Sequence, residues 1–290
     1  MNFLKPVVSA SMLLTTLLTG SAMFANKTLA TGNTPATCQY SSYNIPESQY
    51  QSVYNNYANI SGNRPLWVDG YDVKGKTYYN VIFNKCYTNY PWVAKHKLDA
   101  TQYQQTYNQY QGQGYRLYQL DSYLSGGKIH YSVIYVKDSG PAWKAYTNQT
   151  VTQFQSTFDS LKSQGYRPVN ISVVKYNGTV YYTSLYDKKS VGTWYAYGGL
   201  TATQYKQYND QYKAAGLHLA YLNGYKDSQG TKFAAIWNKE PVTAWYSAYG
   251  LKATQYKTKY DSYTASGYYT NLVTGYEQNG KAYFGALWTK

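Results

Sequence analysis

The chain has 290 residues, 27 Lys and Arg against 13 Asp and Glu, a net charge of +14 and 40 tyrosines. Charged residues make up only 14 % of it, so its surface is wetted by hydroxyls and amides more than by ions. Disorder is excluded by the apolar area that so many rings offer for burial. Three histidines in unrelated surroundings exclude a legible zinc centre.

Residues 1–30 read as an export signal. Lys5 supplies the positive start, no charge follows until Lys27, and small residues stand at Gly20-Ser21-Ala22 and Thr28-Leu29-Ala30, two possible cleavage sites. An uncleaved anchor is the alternative, although Thr, Ser and Gly interrupt the apolar run. A secreted, periplasmic or cell-surface protein is expected, with no membrane span after cleavage. Cys38 and Cys86 are the two cysteines, and in an oxidising compartment they favour one disulfide tying the N-terminal segment to the first repeat.

The rest of the chain is one stretch written repeatedly. Trp92, Trp143, Trp194 and Trp245 recur at a step of 51 residues, as do Gly114, Gly165, Gly216 and Gly267. A fixed period of this size means one supersecondary unit stacked on its copies. Residues 31–44 form an N-terminal segment, and residues 45–290 hold five units, at about 45–92, 93–143, 144–194, 195–245 and 246–290.

Each unit opens with a helix. Asp99-Ala100-Thr101-Gln102, Thr150-Val151-Thr152-Gln153 and Thr201-Ala202-Thr203-Gln204 fit capping boxes, while Lys252 weakens the fifth start. Tyr103, Tyr107 and Tyr110 share a helical face, replaced by Phe154, Phe158 and Leu161 and then by Tyr256, Tyr260 and Tyr263. The Gly114 series ends the helix. The first unit keeps Tyr50, Tyr54 and Tyr57 but slips by one or two residues before Arg64.

Two strands follow. They turn at Gly126-Gly127, Asn177-Gly178, Asn279-Gly280 and the related Ser228-Gln229-Gly230, pairs that supply the positive φ of a tight hairpin. The Trp segment is a third, brief strand before the next helix. The expected fold is therefore an α+β tandem repeat of Trp strand, helix and β-hairpin. A propeller-like ring of five, closed by an N-terminal strand (Cys38 to Tyr43) completing the last unit, is favoured because closure covers sheet edges. An open, curved array is the alternative.

Ser163-Gln164-Gly165-Tyr166-Arg167, Ala234-Ala235-Ile236-Trp237-Asn238-Lys239 and Leu200-Thr201-Ala202-Thr203-Gln204-Tyr205 resemble the bacterial tandem repeat domain, which also forms the N-terminal part of secreted polyglycine hydrolases. The resemblance covers about Ile45 to Lys290. It implies a secreted toroidal repeat module without the separate β-lactamase-like serine hydrolase domain of those enzymes, for which this chain has no room.

Ser125-Gly126-Gly127-Lys128 matches Ser-x-x-Lys, but in a turn and without the accompanying elements, so chance explains it. His96, His130 and His218 occupy different places in the unit, and no Ser-His-Asp set is legible. Asp159, Asp210 and Asp261 recur on a solvated helix face. Asp69 and Asp72 flank a turn and lack further oxygen ligands for Ca²⁺. No metal or cofactor is expected. The Trp series is assigned to packing between units in preference to stacking on sugars.

Lys85, Lys137, Lys188, Lys239 and Lys290 end the same strand in all five units, so their fields add on one side. The expectation is a non-enzymatic module that binds a glycan or other anionic surface polymer through a repeated Tyr/Lys face. A protein–protein scaffold or inhibitor is the alternative, and a hydrolase with a site assembled across repeats is the second. Export and the scarcity of Arg argue against nucleic acid.

Overall fold

The structure is a computed structural model and describes residues 38–84 and 90–290; the signal segment, Cys86 and Lys85 lie outside the described residues. Five copies of one unit follow in order. The first is β1 (Gln39–Pro46), α1 (Glu47–Tyr54), β2 (Arg64–Val73) and β3 (Lys76–Asn84). The second is β4 (Trp92–Leu98), α2 (Ala100–Gly112), β5 (Arg116–Ser125) and β6 (Lys128–Val136). The third is β7 (Trp143–Thr150), α3 (Val151–Ser163), β8 (Arg167–Tyr176) and β9 (Thr179–Asp187). The fourth is β10 (Trp194–Leu200), α4 (Ala202–Ala214), β11 (His218–Asp227) and β12 (Gly230–Asn238). The fifth is β13 (Trp245–Leu251), α5 (Ala253–Ala265), β14 (Tyr269–Gln278) and β15 (Lys281–Thr289).

Each unit folds its own three-stranded antiparallel sheet, with the return strand of the hairpin in the middle, as in β4-β6-β5. The Trp strand therefore pairs with the hairpin that follows it, and the hydrogen-bonded unit begins with its tryptophan rather than ending there. The half-buried rings of Trp143 and Trp194 lie edge-on to Tyr107 and Phe158 of the preceding unit's helix, at 5.4 and 5.9 Å. Lys213 of α4 sits over Trp245. These tryptophans seal one unit to the next.

The local signals act as their chemistry dictates. Asp99, Thr150 and Thr201 cap α2, α3 and α4 with full capping boxes. Lys252 offers α5 no side-chain cap, and Gln255 alone reaches back to its N–H. In unit one a π-helical turn over Asn55–Ile60 takes up the slip seen before Arg64. The hairpin turns at Asn177-Gly178 and Asn279-Gly280 carry positive φ at both residues.

The N-terminal strand departs from the expectation that it completes the last unit. β1 pairs with β3 of its own unit, Gln39 opposite Asn84. The fifth sheet is already complete with β13, so no sheet place is left for β1 there. It reaches unit five through individual contacts and not through a ladder. The Gln39 amide exchanges two hydrogen bonds with the backbone of Thr270, at 2.8 and 2.7 Å, and Tyr43 packs edge-on to Tyr256.

The five hairpin strands β2, β5, β8, β11 and β14 lie side by side, yet no backbone ladder joins them. One polar column links them instead. Asp121, Ser172, Asn223 and Thr274 each accept a hydrogen bond from a backbone N–H of the preceding unit: Gly70 (2.7 Å), Ser122 (3.0 Å), Val173 (3.0 Å) and Gly224 (3.1 Å). Asp69 accepts the same bond from Gly275 of unit five at 2.8 Å. A second set runs the other way, with Trp67 Nε1 donating to Val273 O, Gln119 to Val68 O and Asn170 to Leu120 O. These bonds satisfy buried peptide groups that a sheet ladder would otherwise satisfy.

Glycine at Gly70, Gly224 and Gly275 lets a tyrosine of the adjacent unit lie flat on the backbone. A Cβ at Gly275 would stand 2.3 Å from the Tyr71 ring, and Gly70 and Gly224 meet Tyr123 and Tyr276 in the same way. The hydroxyls of Tyr123 and Tyr276 then accept the N–H of Lys97 and Gly250, at the bulge of the Trp strand. Unit three carries Val174 in place of this tyrosine, and the residue at the glycine position before it is Ser122. Gly275→Ala is expected to cost about 1–3 kcal/mol by overpacking, and to act at the contact between units five and one. Gly112→Ala, on the open face of α2 with nothing within 4 Å, is expected to be neutral or slightly stabilising. Urea denaturation of the two variants checks both.

Candidate functional site: the lysine-bearing end and its axial funnel

The lysine series stands where the sequence places it for the four described members. Lys137, Lys188, Lys239 and Lys290 follow the last residue of β6, β9, β12 and β15, and all four are exposed. Each is held by one more backbone bond to the segment ahead of the Trp strand, from Lys137 N to Pro91 O through Lys290 N to Ala244 O. Three ammonium groups lie over tyrosines: Lys137 over Tyr115, Lys188 over Tyr166 and Lys290 over Tyr268, at 5.7, 4.7 and 5.7 Å. Among the described residues none of the four forms an ion pair. The Lys290 ammonium also donates to the Ser266 carbonyl at 3.0 Å.

The same end opens into a funnel of 640 Å³ lined by all five units. Its walls come from a feature of the strands. Each of β2, β5, β8, β11 and β14 shifts register by one residue near its start, and the unpaired residues are Leu66, Tyr118, Val169, Ala220 and Asn271. All five line the funnel. A bulge of this kind re-aims one side chain out of the ladder, and here it does so at the same place in every copy with a different residue each time.

The charges in the funnel wall are paired. Arg167 meets Asp187 at 2.9 Å and Lys189 meets Glu240 of the next unit; Arg116 meets Asp138 through Nη2 at 2.8 Å. The floor is formed by Trp67, Gln119, Asn170, Tyr221 and Leu272. Trp67 and Tyr221 come from non-adjacent units and touch across the middle, with ring centres 5.8 Å apart.

Beneath that floor lie Asp69 and Asp121, 1 % and 4 % exposed. Asp69 accepts from Gly275 N and from Asn80 Nδ2, and Asp121 from Gly70 N and the Ser172 hydroxyl. Burial pushes the Asp121 carboxyl up to about 7, and burial followed by repulsion from Asp121 pushes Asp69 well above the usual carboxylate range. Sequence reading missed this pair because it weighed Asp69 only with Asp72. The usable signal was a column: Asp69, Asp121, Ser172, Asn223 and Thr274 are all polar at one place in the five strands. Asp72 accepts from Gly75 N in the hairpin turn.

The other singled-out residues have structural partners. The Ser125 hydroxyl, in the turn that mimics Ser-x-x-Lys, donates to Glu47. His96 packs against Tyr50, and burial lowers its pKa to about 4. Asp159, Asp210 and Asp261 pair along their own helices with Gln155, Lys206 and Lys257. No group of three metal-ligating side chains occurs among the described residues. Among them no helix is long and apolar enough to cross a membrane.

A family model described as polyglycine hydrolase-like, structural repeat matches the chain five times, over residues 39–85, 89–138, 140–189, 191–240 and 242–290. These segments coincide with the five hydrogen-bonded units. No curated protein matches the chain.

The acid pair sets a pH dependence. A carboxyl whose folded pKa is raised contributes stability that is full below the ordinary Asp value, and that stability is lost as pH rises towards about 7. His96, held neutral by burial, acts in the opposite sense between about 4 and 6.5. Asp121→Asn keeps the acceptor and removes the ionisation. Its stability relative to the parent is expected to rise by a few kcal/mol, at the order of about 1.4 kcal/mol per pKa unit, between pH 4.5 and pH 8. Urea midpoints across that range check the difference.

Proposed function

We propose that this chain, which belongs to the polyglycine hydrolase-like structural repeat family, is an exported, non-enzymatic module binding a glycan or other anionic surface polymer through its lysine-bearing end. The observation that carries the reading is the set of four exposed lysines outside any ion pair on one end, three of them over tyrosine rings. A polymer laid on that end meets the same contact at each unit, so weak single contacts multiply. Stacked tyrosines on the Trp strands add flat, partly exposed rings: Tyr195 on Tyr212 at 4.4 Å and Tyr246 on Tyr263 at 4.7 Å. A hydrolytic reading draws no support from Asp69 and Asp121, whose oxygens are committed to junction bonds under the floor.

Two structural parts of the proposal accompany it. The bonds from unit five to unit one support a closed, propeller-like ring, which holds the lysines in a fixed circle. The Gln39–Asn84 pairing brings the chain on either side of it together and supports a Cys38–Cys86 bridge in the exported protein. Export itself rests on residues 1–30 of the sequence.

Binding to sulfated or carboxylated glycans on an array is expected to weaken steeply between 50 and about 300 mM salt, as screening shortens. Lys188→Ser combined with Lys239→Ser should flatten that salt dependence. An array blank at low salt, or binding indifferent to salt and to both substitutions, would remove the proposal. Intact-mass measurement of the secreted protein before and after reduction, with alkylation, is expected to show a gain of two alkyl groups only after reduction.

A further inference from the structure

One place in the Trp strand, four residues after its start, carries a ring that covers the helix of the preceding unit. Tyr43 lies edge-on to Tyr256 and Phe284 of unit five, at 4.5 and 5.6 Å. His96 does the same to Tyr50 and Tyr79 of unit one, at 4.5 and 5.7 Å. Tyr249 does it to Tyr205 and Phe233 of unit four, at 5.0 and 5.4 Å. Beneath these rings Tyr256, Tyr50 and Tyr205 are 0 %, 1 % and 1 % exposed. Thr147 stands at that place over unit two, and Gly198 over unit three. Phe154 and Tyr182 of unit three stack on each other at 4.6 Å, and among the described residues no ring of the following Trp strand lies across them. Phe154 is accordingly 7 % exposed. A cavity of 580 Å³ stands where that ring would be, lined by Val151, Phe154, Gln155, Asp159, Tyr182 and Gly198 among others.

The walls of this cavity match what Tyr43 meets in unit five. The Tyr43 hydroxyl donates to Ala253 O at 3.3 Å, with the Asp261 carboxylate near it. Val151 and Asp159 hold those two places in unit three. One feature differs. Asp210 and Asp261 are each paired with a lysine, Lys206 and Lys257. Gln155 stands in place of that lysine and donates to both oxygens of Asp159, at 3.0 Å each. The far end of the cavity therefore offers acceptors and a negative charge that no cation offsets among the described residues.

We infer that this cavity binds a small phenol, its ring edge-on to Phe154 and Tyr182 and its hydroxyl donating towards the Val151 carbonyl and the Asp159 carboxylate. The ligand supplies to unit three the ring that the chain itself supplies to units one, four and five, in the tilted geometry that aromatic pairs prefer. A free ring suits the site better than one tethered at Gly198, because a Cβ there would stand 2.7 Å from the Tyr182 ring. An aryl carboxylate would set its charge against Asp159 and the carbonyl. A saturated ring would lack the positive edge and negative face on which such pairs depend. The cavity lies at the start of α3, whereas Lys188 lies over Tyr166, past the end of that helix. The inference goes beyond the polymer reading and does not need it to be correct.

The test is an NMR titration of the full mature chain, in 300 mM salt, with p-cresol, benzoate and cyclohexanol, followed at the Gly198 amide. p-Cresol is expected to saturate with a dissociation constant at or below about 1 mM, and to shift that amide. Benzoate and cyclohexanol are expected to bind at least tenfold more weakly. Ser156→Trp fills the cavity from an exposed position on α3 and is expected to weaken p-cresol binding at least tenfold. Lys188→Ser with Lys239→Ser should leave it unchanged, which separates this site from the lysine end. The inference is overturned if p-cresol does not saturate, if benzoate or cyclohexanol binds as tightly, or if saturation leaves the Gly198 amide unmoved. It is equally overturned if Ser156→Trp, folded by its circular dichroism, binds as the parent does. If that variant does not fold, the parent's Gly198 amide and the comparison of the three ligands decide.

Discussion

A backbone N–H of one unit meeting a side-chain oxygen of the next is the contact on which this architecture depends. Five short sheets stand side by side without sharing a ladder, and their hairpin strands bury peptide groups that need partners. Asp69, Asp121, Ser172, Asn223 and Thr274 supply them. The bond recurs at the same place each time, although the accepting group of the side chain differs. An oxygen at one height is the constraint, and Asp, Ser, Asn and Thr each meet it.

That constraint explains the chemistry near the middle. Two of the five oxygens belong to carboxyls held where water does not reach, so their charged forms are disfavoured. At three of the junctions glycine, Gly70, Gly224 and Gly275, lets a tyrosine ring cross the backbone, while Val173 holds that place ahead of Tyr225. The tyrosine excess follows in part. A ring long enough to cross from the hairpin to the Trp strand, carrying a hydroxyl to accept an N–H there, is a tyrosine and not a phenylalanine.

The middle is also where the copies differ most. Helix caps, hairpin turns and tryptophans repeat because each does a job inside one unit or between two like units. In the funnel, lined by all five units, two large rings, Trp67 and Tyr221, meet, and Gln119, Asn170 and Leu272 stand at the equivalent positions.

The sequence by itself determined the period, the order of elements in each unit, the capping of α2, α3 and α4, the hairpin turns, and the common end on which the described lysines stand. These are local or repeat-wise properties, fixed by neighbouring residues and by identical spacing. Tertiary structure decided which hairpin the Trp strand joins, that β1 pairs within its own unit while its side chains reach unit five, that Asp69 and Asp121 share one buried place, and that five bulges aim unlike residues into one funnel. Those depend on which distant strands come within hydrogen-bonding distance, and spacing along the chain carries no record of that distance.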